Sequence, residues 1–313
     1  MIPDTPRILV VGYNAFDIIV PVSGFPVPDT KTEVPFIGLG GGGPGATAAV
    51  AMARLGARVR LITPLTDDAG GLVQRQELNA AGVDLSGSPV LTGQECAKAV
   101  ILVQPESGER TIFWSRGKLP LLDADLWDSH WLDGVDLLYL DGHEPDLSLV
   151  AARQARARGL PVVLDAGSVR QGSEELVALC TDVISSSVFA LQLAGLDDPL
   201  VALEELRRRG PERVAMTFGA EGVLALGDPA FVVPAYKVNT VDTTGAGDVF
   251  HAGYAFALAL GGEFRHNLEF GAATAALKCA HWGGRGGLPL LNDVLEMLKF
   301  GETLPVSPRF NLR

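Results

Sequence analysis

The stretch Asn239-Thr-Val-Asp-Thr-Thr-Gly-Ala-Gly-Asp-Val-Phe250 predicts a turn that runs directly into a helix. The aspartate and threonines before its first glycine are good N-terminal capping residues, and residues 246–260 are mostly apolar helix formers. Gly245 and Gly247 allow unusual dihedral angles and let the main chain come close to a ligand. The start of such a helix presents unpaired N–H groups and a positive dipole end, so the stretch predicts an anion-binding site.

Asp248 does not fit pure anion binding, because a carboxylate repels a neighbouring phosphate. Its position makes sense if it takes a proton from a hydroxyl group that attacks that phosphate. The alternative is an ordinary acidic residue in the first turn of a capped helix. The whole string Asp-Thr-Thr-Gly-Ala-Gly-Asp is far more specific than Gly-x-Gly alone and favours the catalytic interpretation.

The string from Asp242 to Asp248 resembles the signature of the ribokinase-like (PfkB) sugar kinases. This resemblance implies a three-layer α/β/α fold with a central, mostly parallel sheet and a small β-sheet lid, formed by residues 1–313 as a single domain. It also implies ATP and Mg²⁺ as cofactors and a small-molecule sugar as substrate. By the same resemblance, the main chain of Gly245, Ala246 and Gly247 forms an anion hole, and Asp248 is the catalytic base.

Composition excludes several classes of partner. The 313 residues include 25 basic and 37 acidic ones, and the net charge of −12 disfavours binding to nucleic acid or an anionic membrane. Three widely spaced cysteines, Cys96, Cys180 and Cys279, give no disulfide framework or zinc-site spacing and suit a reducing cytoplasm. The first residues lack a signal-peptide pattern, and the apolar stretch 249–260 is too short to span a bilayer, so we expect a cytoplasmic protein.

Apolar segments alternate with helical ones along most of the chain. Predicted strands lie at residues 7–12, 59–64, 135–140, 161–164, 182–184 and 213–217, and predicted helices at 46–55, 67–81, 146–158, 173–179, 188–194, 199–209 and 272–279. Strands separated by helices indicate a parallel sheet covered on both faces. Ligands of such sheets bind at the carboxyl ends of the strands.

Two further strand-like segments, 98–104 and 109–114, flank Glu106-Ser-Gly108 and predict a hairpin. The proline-rich segment 21–36 predicts an excursion from the main sheet, and residues 20–36 are expected to join the hairpin in a small sheet. The resemblance implies that this sheet, about residues 18–39 and 96–117, is a lid over the sugar. Because such lids often mediate dimerisation in the family, we expect a homodimer.

The expected sugar site lies near the first strand. Asp17 stands in the apolar segment Ala-Phe-Asp-Ile-Ile-Val, where an unpaired carboxylate is costly, so it needs a partner. The resemblance assigns Asn14 and Asp17 to the sugar; a loop carboxylate paired with the main chain is the alternative for Asp17. Gly42 and Gly43 match the family's sugar-binding Gly-Gly motif, whereas Thr47 stands where many members have Asn.

The glycines from Gly38 to Gly45 formally contain Gly-x-Gly-x-x-Gly, which raises an NAD-dependent oxidoreductase as an alternative. That fingerprint requires an acidic residue about 20 positions later, and residues 46–66 contain no Asp or Glu. No Walker-type Gly-x-x-x-x-Gly-Lys-Ser/Thr sequence is present, which argues against a P-loop NTPase.

The segment Thr217-Phe-Gly-Ala-Glu-Gly222 resembles the family's nucleotide loop and implies that Thr217, Gly219 and Gly222 contact ATP. A tight turn would explain the glycines but not the threonine. The resemblance places adenine, with Thr244, Cys279 and Gly283 among the nucleotide contacts, beside the loop 283–289. It also places there a monovalent-cation site made largely of main-chain carbonyls, so a role for K⁺ stays open.

One departure from the family concerns the metal. Many members carry Asn-x-x-Glu, which organises Mg²⁺ through water, where this chain has Ser186 and Phe189. Magnesium would then be held mainly by phosphates and water, with Asp242, Thr244 and Asp248 as protein candidates.

A second departure concerns the substrate. Gly-Gly-Gly-Pro-Gly-Ala-Thr-Ala-Ala and Ala-Ala-Leu-Lys-Cys followed by Gly-Gly-Arg-x-Gly resemble the sulfofructose kinase and ketohexokinase branch. Of the three sulfonate contacts that this resemblance implies, Lys31 matches, but Trp114 and His143 replace the expected Asn and Arg. Sulfofructose is therefore doubtful as a substrate, and Arg116 is a candidate replacement contact.

The leading hypothesis is an ATP-dependent kinase for a primary hydroxyl of a ketose- or furanose-type sugar. A nucleoside kinase of the same family is the nearest alternative, with Trp114, Phe16 and Phe36 as candidates for an aromatic base slot. A non-catalytic sugar-binding protein is a third hypothesis, which the intact Asp248 disfavours.

Overall fold

The computed structural model describes residues 5–310. Its strands are β1 (Arg7–Val11), β2 (Ala15–Pro21), β3 (Gly38–Gly42), β4 (Arg58–Ile62), β5 (Leu65–Thr66), β6 (Val90–Leu91), β7 (Lys98–Val103), β8 (Arg110–Ser115), β9 (Leu137–Leu140), β10 (Val162–Ala166), β11 (Asp182–Ser186), β12 (Arg213–Thr217), β13 (Val223–Ala225) and β14 (Phe231–Val233). Its α-helices are α1 (Pro44–Leu55), α2 (Ala69–Ala80), α3 (Pro145–Ala157), α4 (Ser173–Leu179), α5 (Ser187–Ala194), α6 (Pro199–Arg208), α7 (Ala246–Ala259), α8 (Phe264–Cys279) and α9 (Leu291–Phe300).

A central sheet of eight strands has the order β14-β13-β12-β11-β10-β9-β1-β4. The strands from β12 to β4 are parallel, and β13 and β14 extend this sheet in antiparallel fashion. In the middle, Val10 is in register with Leu61 on one side and Tyr139 on the other. The predicted α/β fold with a mostly parallel sheet is confirmed.

Each face of the central sheet carries its own hydrophobic core. One core packs side chains of α1, α7 and α8 against the sheet, and the other packs those of α3, α4, α5 and α6. Burial on both faces is why β1 reads as the unbroken apolar run Ile-Leu-Val-Val. The helix α8 begins at Phe264, earlier than the predicted residue 272, and continues to Cys279.

A second sheet has four strands in the order β3-β2-β7-β8. The predicted hairpin is present as β7 and β8, whereas the expectation that residues 20–36 supply strands is wrong beyond Pro21. Residues 22–37 form a largely exposed connection between β2 and β3. Prolines in this segment lack the N–H group that a sheet ladder requires, so the pairing strands lie on either side of it.

The tip of the β7–β8 hairpin contacts the turn that leads into α7. The N–H and Oγ1 of Thr243 donate to Gly108 O at 3.2 and 2.6 Å. Arg110 Nη1 donates to Thr243 Oγ1 at 2.9 Å. The small sheet therefore lies over the start of α7. Among residues 5–310, no helix is both long and apolar enough to cross a membrane.

Candidate active site

A cavity of about 950 Å³ lies between the carboxyl ends of the central strands, the start of α7 and the small sheet. This is where a parallel sheet is expected to bind its ligands. The predicted site residues that line it are Asp17, Gly43, Trp114, His143, Thr217, Gly219, Gly222, Thr244, Gly245, Ala246, Gly247, Asp248 and Cys279. Those that do not are Asn14, Lys31, Gly42, Thr47, Arg116, Asp242 and Gly283.

The N-terminus of α7 forms the floor of the cavity. Gly245 has φ 75°, and a Cβ at this position would lie 2.8 Å from Gly284 O, so only glycine fits. The N–H of Ala246 donates to Thr243 O at 3.1 Å and closes the turn. Within the described residues, the N–H groups of Gly245 and Gly247 have no such partner, and these two donors are left for a bound anion.

Asp248 follows these donors in the first turn of α7. Its carboxylate lines the cavity and accepts no hydrogen bond from residues 5–310. Burial raises the pKa of Asp248 to about 7; Asp165 adds to the rise, whereas His251 and Arg110 oppose it. A carboxyl group with a pKa near neutrality is suited to take up a proton during a reaction.

A buried polar network supports this turn of α7 from below. His251 places Nδ1 2.6 Å from Gly247 O and 3.3 Å from Asp165 Oδ1, and its Nε2 lies 3.1 Å from Ile184 O. Tyr139 OH donates to Asp165 Oδ2 at 2.9 Å. The network thus fixes the first turn of α7 to β10 and β11. Sequence reasoning missed it, although His251 lies three residues after Asp248, on neighbouring helix positions.

Asp17, on β2, lines another wall of the cavity. Its carboxylate is 5% exposed and accepts no hydrogen bond from the described residues. Burial raises the pKa of Asp17 to about 7; Arg285 opposes the rise and Asp248 adds to it. A Cβ at Gly42 would lie 2.0 Å from Asp17 Oδ2, so the glycine is needed for the carboxylate to reach this position.

Arg285 lies behind this wall, and its side chain is 8% exposed. It donates to Gly42 O at 2.8 Å and to Asn14 Oδ1 at 3.3 Å, and it pairs with Glu77 at 3.3 Å. Asn14 in turn donates to Gln74 Oε1 at 3.0 Å. Asn14 and Gly42 therefore shape the wall without lining the cavity. Thr47, 1% exposed in α1, is likewise set back.

Aromatic side chains form the outer wall. The His143 ring stacks on Tyr13 with centroids 4.5 Å apart, and the edge of Trp114 meets Tyr13 at 6.0 Å. Burial lowers the pKa of His143 to about 4, so the imidazole is neutral at pH 7. Arg170 lies over the Trp114 ring at 5.4 Å. Tyr13 and Arg170 were missed by the sequence reasoning, because neither belongs to a motif.

Two predicted substrate contacts lie away from the cavity. Arg116 donates to Glu144 Oε1 at 2.6 Å and to His143 O at 2.9 Å, so its guanidinium is used within the protein. It does not replace the missing sulfonate contacts. Lys31 lies on the exposed connection between β2 and β3 and does not reach the cavity.

The other end of the cavity begins at Thr217, where β12 ends. Gly219 and Gly222 follow with φ of 59° and 99°, and a Cβ at Gly222 would lie 2.4 Å from Val233 O. Beyond them lies a largely apolar slot. Its lining residues are Ala235, Tyr236, Val238, Ala272, Ala275, Ala276, Cys279 and Leu304.

Asp242 joins two loops and does not line the cavity. Its side chain is fully buried, and its oxygens accept the N–H groups of Thr244 at 2.7 Å and Gly283 at 2.8 Å. Asp242 and Gly283, which were predicted as metal and nucleotide contacts, thus hold the two loops together. Among the described residues, no group of three or more His, Cys, Asp or Glu side chains could hold a metal by itself.

Within the described residues, the site combines a helix start with free N–H groups, an unpaired carboxylate, a polar wall and an apolar slot. Residues 5–290 match the family described as pfkB family carbohydrate kinase. The chain belongs to this family. Its members are kinases, so the protein is a phosphotransferase rather than an oxidoreductase of the type that the early glycine-rich loop suggested.

Relatives and solved structures agree with this assignment. The chain is 28% identical to ribokinase from Bacillus subtilis, over 93% of this chain and 99% of that protein. It is 29% identical to the ATP-dependent ribose-1-phosphate kinase of Halopiger xanaduensis, over 89% and 94%. The crystal structure of a putative ribokinase from Agrobacterium tumefaciens superposes with a TM-score of 0.86 and 28% identity, covering 94% of this chain and 98% of that one.

Proposed function

We propose that this protein is an ATP-dependent kinase that transfers the γ-phosphoryl group to a primary hydroxyl of a ketose- or furanose-type sugar or sugar derivative. One observation carries the proposal: the unpaired carboxylate of Asp248 stands beside the free N–H groups at the start of α7, between a polar wall and an apolar slot. A proton acceptor next to a phosphate site suits phosphoryl transfer to a hydroxyl group.

The two ends of the cavity suit the two substrates. The apolar slot fits an adenine ring, and Thr217, Gly219 and Gly222 lie where they can contact ribose and phosphates. At the other end, Asp17 offers a free carboxylate to sugar hydroxyls. The solved ribokinase from Arabidopsis thaliana, of the same fold with a TM-score of 0.80, is a complex with ribose and ATP.

In the reaction, Asp248 takes the proton of the attacking hydroxyl. The N–H groups of Gly245 and Gly247 and the α7 dipole stabilise the negative charge that develops on the phosphoryl oxygens. Arg110, which lines the cavity and donates to Thr243, adds positive charge from the small sheet. Asp248 and Thr244, which line the cavity, would be the protein contacts of Mg²⁺, which would neutralise charge on the phosphates when bound with ATP.

The proposal is tested by measuring ADP production across ketoses, aldoses, phosphosugars and nucleosides, with wild-type protein and Asp248→Asn. Losing the base is expected to lower the rate by roughly 10²–10⁴ while ATP binding is retained. ATP affinity by calorimetry is the control for folding. Near-normal turnover in the variant would refute the catalytic role of Asp248. If no acceptor in the panel supports ADP production, the proposal of a sugar kinase is refuted.

A nucleoside kinase is the second candidate. The aromatic wall of Trp114, Tyr13 and His143 favours it, because a nucleobase could stack there. A nucleoside kinase from Methanothermobacter thermautotrophicus is 25% identical over 92% of this chain. The same panel decides between the two, since only a nucleoside kinase would prefer nucleosides over free sugars.

We also propose that the small sheet acts as a lid and that two copies pair through it in the cytoplasm. Its strands expose the apolar side chains of Leu39, Val100 and Phe113, which association would cover. The three cysteines are free, which suits a reducing compartment. Light scattering that gives a monomer mass at micromolar concentration would contradict the pairing.

A further inference from the structure

Lys278, in the last turn of α8, carries a fully buried ammonium group. Its Nζ donates to Asp242 O at 2.8 Å and lies 3.5 Å from His281 O. Both partners are main-chain carbonyl oxygens. Within residues 5–310, Lys278 forms no ion pair with a carboxylate.

Capping of α8 alone does not explain this arrangement. A lysine near a helix C-terminus usually keeps its charged head in water, whereas this one has no exposed surface. Burial lowers the pKa of Lys278, and the nearby Asp242 carboxylate opposes that fall. Burying an ammonium group without a carboxylate partner is costly. The presence of Lys278 at this position therefore indicates that its charge has a function.

The contacts of Asp242 indicate the function of the Lys278 charge. Its carboxylate already joins Thr244 to Gly283, and the preceding residue, Val241, donates to Cys279 O at 2.8 Å. Lys278 adds a tie to the main-chain oxygen of the same aspartate. The ammonium therefore fixes the residue from which the turn toward Gly245 starts to the end of α8.

The resemblance to ribokinase-like proteins implied a monovalent cation held largely by main-chain carbonyls in this region. Carbonyl oxygens suit such a cation, but here those of Asp242 and His281 already face the ammonium. A K⁺ ion on the same oxygens would place a second positive charge beside the first in a buried space. These residues therefore do not fit a bound K⁺.

We propose that the Lys278 ammonium is a built-in monovalent cation, which holds the anion-binding turn in place and makes the protein independent of K⁺. Lys278 is a positioning residue, since it acts through Asp242. The prediction for turnover rests on the proposed kinase function, whereas the prediction for thermal stability does not.

The test compares potassium, sodium, ammonium and choline chloride at equal ionic strength, with melting temperature and ADP production as readouts. Wild-type protein is expected to have the same melting temperature in all four salts and rates within about twofold. Lys278→Ala, which opens the space, is expected to lose up to about a hundredfold in rate through misplacement of the turn. Potassium and ammonium should restore both readouts, and choline neither; exposed Lys299→Ala should match wild type.

A wild-type protein that loses rate or thermal stability when choline replaces potassium overturns the proposal. So does a Lys278→Ala variant that equals wild type in choline or responds alike to every salt. If that variant does not fold, the wild-type salt series decides by itself, and Lys278→Met should fold yet show no selective response to potassium. If no acceptor yields ADP, the kinase proposal fails while the melting series still judges Lys278.

Discussion

The two ends of the cavity are built from different parts of the polypeptide. The end proposed to bind phosphate consists of main-chain groups placed by glycine, as at Gly245 and Gly222. The end proposed to bind the sugar is lined by side chains such as Asp17 and His143, and Arg285 holds the neighbouring strand β3 through Gly42 O. A main-chain site needs a local string of small residues, whereas a side-chain site depends on contacts that are remote in sequence. The proposed phosphate end could therefore be predicted from one motif, whereas at the proposed sugar end Asp17 was predicted but its surroundings, such as Arg285, were not.

Gly245→Ala is the variant expected to have the largest effect, and it tests the end of the cavity that is built from main-chain groups. The added methyl group meets Gly284, and φ of 75° is strained for alanine, so the anion-binding turn must shift. Because displaced oxyanion-type donors cost about 10²–10³ in rate, we expect a fall of that size in kcat. Gly24→Ala, where a Cβ meets nothing within 4 Å, is the control. Equal kcat in both variants would show that the turn does not set the rate.

The sugar end is probed by Gly42→Ala, with Gly38→Ala on the same strand as its matched control. A Cβ at Gly42 overlaps the Asp17 carboxylate, whereas one at Gly38 makes ordinary contacts at 3.5 Å or more. We expect the KM for sugar to rise roughly tenfold or more in the first variant, since a displaced contact of this kind is worth about 1–3 kcal/mol. The KM for ATP should stay within about twofold. Steady-state kinetics with each substrate varied in turn measure both KM values. An equal rise in the two would contradict separate binding ends for sugar and ATP.

The pH dependence of turnover sharpens the role of Asp248. A base must be deprotonated to act, and its pKa is raised to about 7, so kcat/KM should rise with pH and level off above that value. The pKa of Asp17 is also raised to about 7, in part by the charge of Asp248, so the observed midpoint belongs to the pair. Melting temperatures at each pH separate titration from unfolding. A flat profile across the neutral range would remove Asp248 as the base.

The smallest expected effect is that of Asp248→Asn on the free energy of unfolding. Because the folded-state pKa of Asp248 lies above its unfolded value, this group's contribution to stability is greatest at low pH and is lost as pH rises to about 7. Asp248→Asn should therefore raise the free energy of unfolding at pH 8 by roughly 1 kcal/mol or more, and by less at pH 5. Denaturant titrations at both pH values measure this, with exposed Asp125→Asn as the control. Equal stabilisation at both values would contradict burial as the cause.

The features that could be predicted from the sequence are local, and those that could not depend on contacts between residues remote in sequence. The parallel sheet could be predicted because its buried strands are unbroken apolar runs between helices. The stretch before α7 could be interpreted because capping residues and glycines act locally. By contrast, nothing near Arg285 in the sequence shows that it contacts Gly42, 243 positions away. Arg116 was a plausible anion contact until Glu144, also remote from any motif, was seen to neutralise it.

Contacts between Thr243 and the β7–β8 hairpin have a consequence for turnover. Gly108 and Arg110 contact the turn that is proposed to bind the transferred phosphoryl group, while Trp114 of the same hairpin lines the cavity. If the small sheet acts as the proposed lid, lifting that hairpin would uncover both compartments together, and the spent nucleotide and the phosphorylated product would leave in one step.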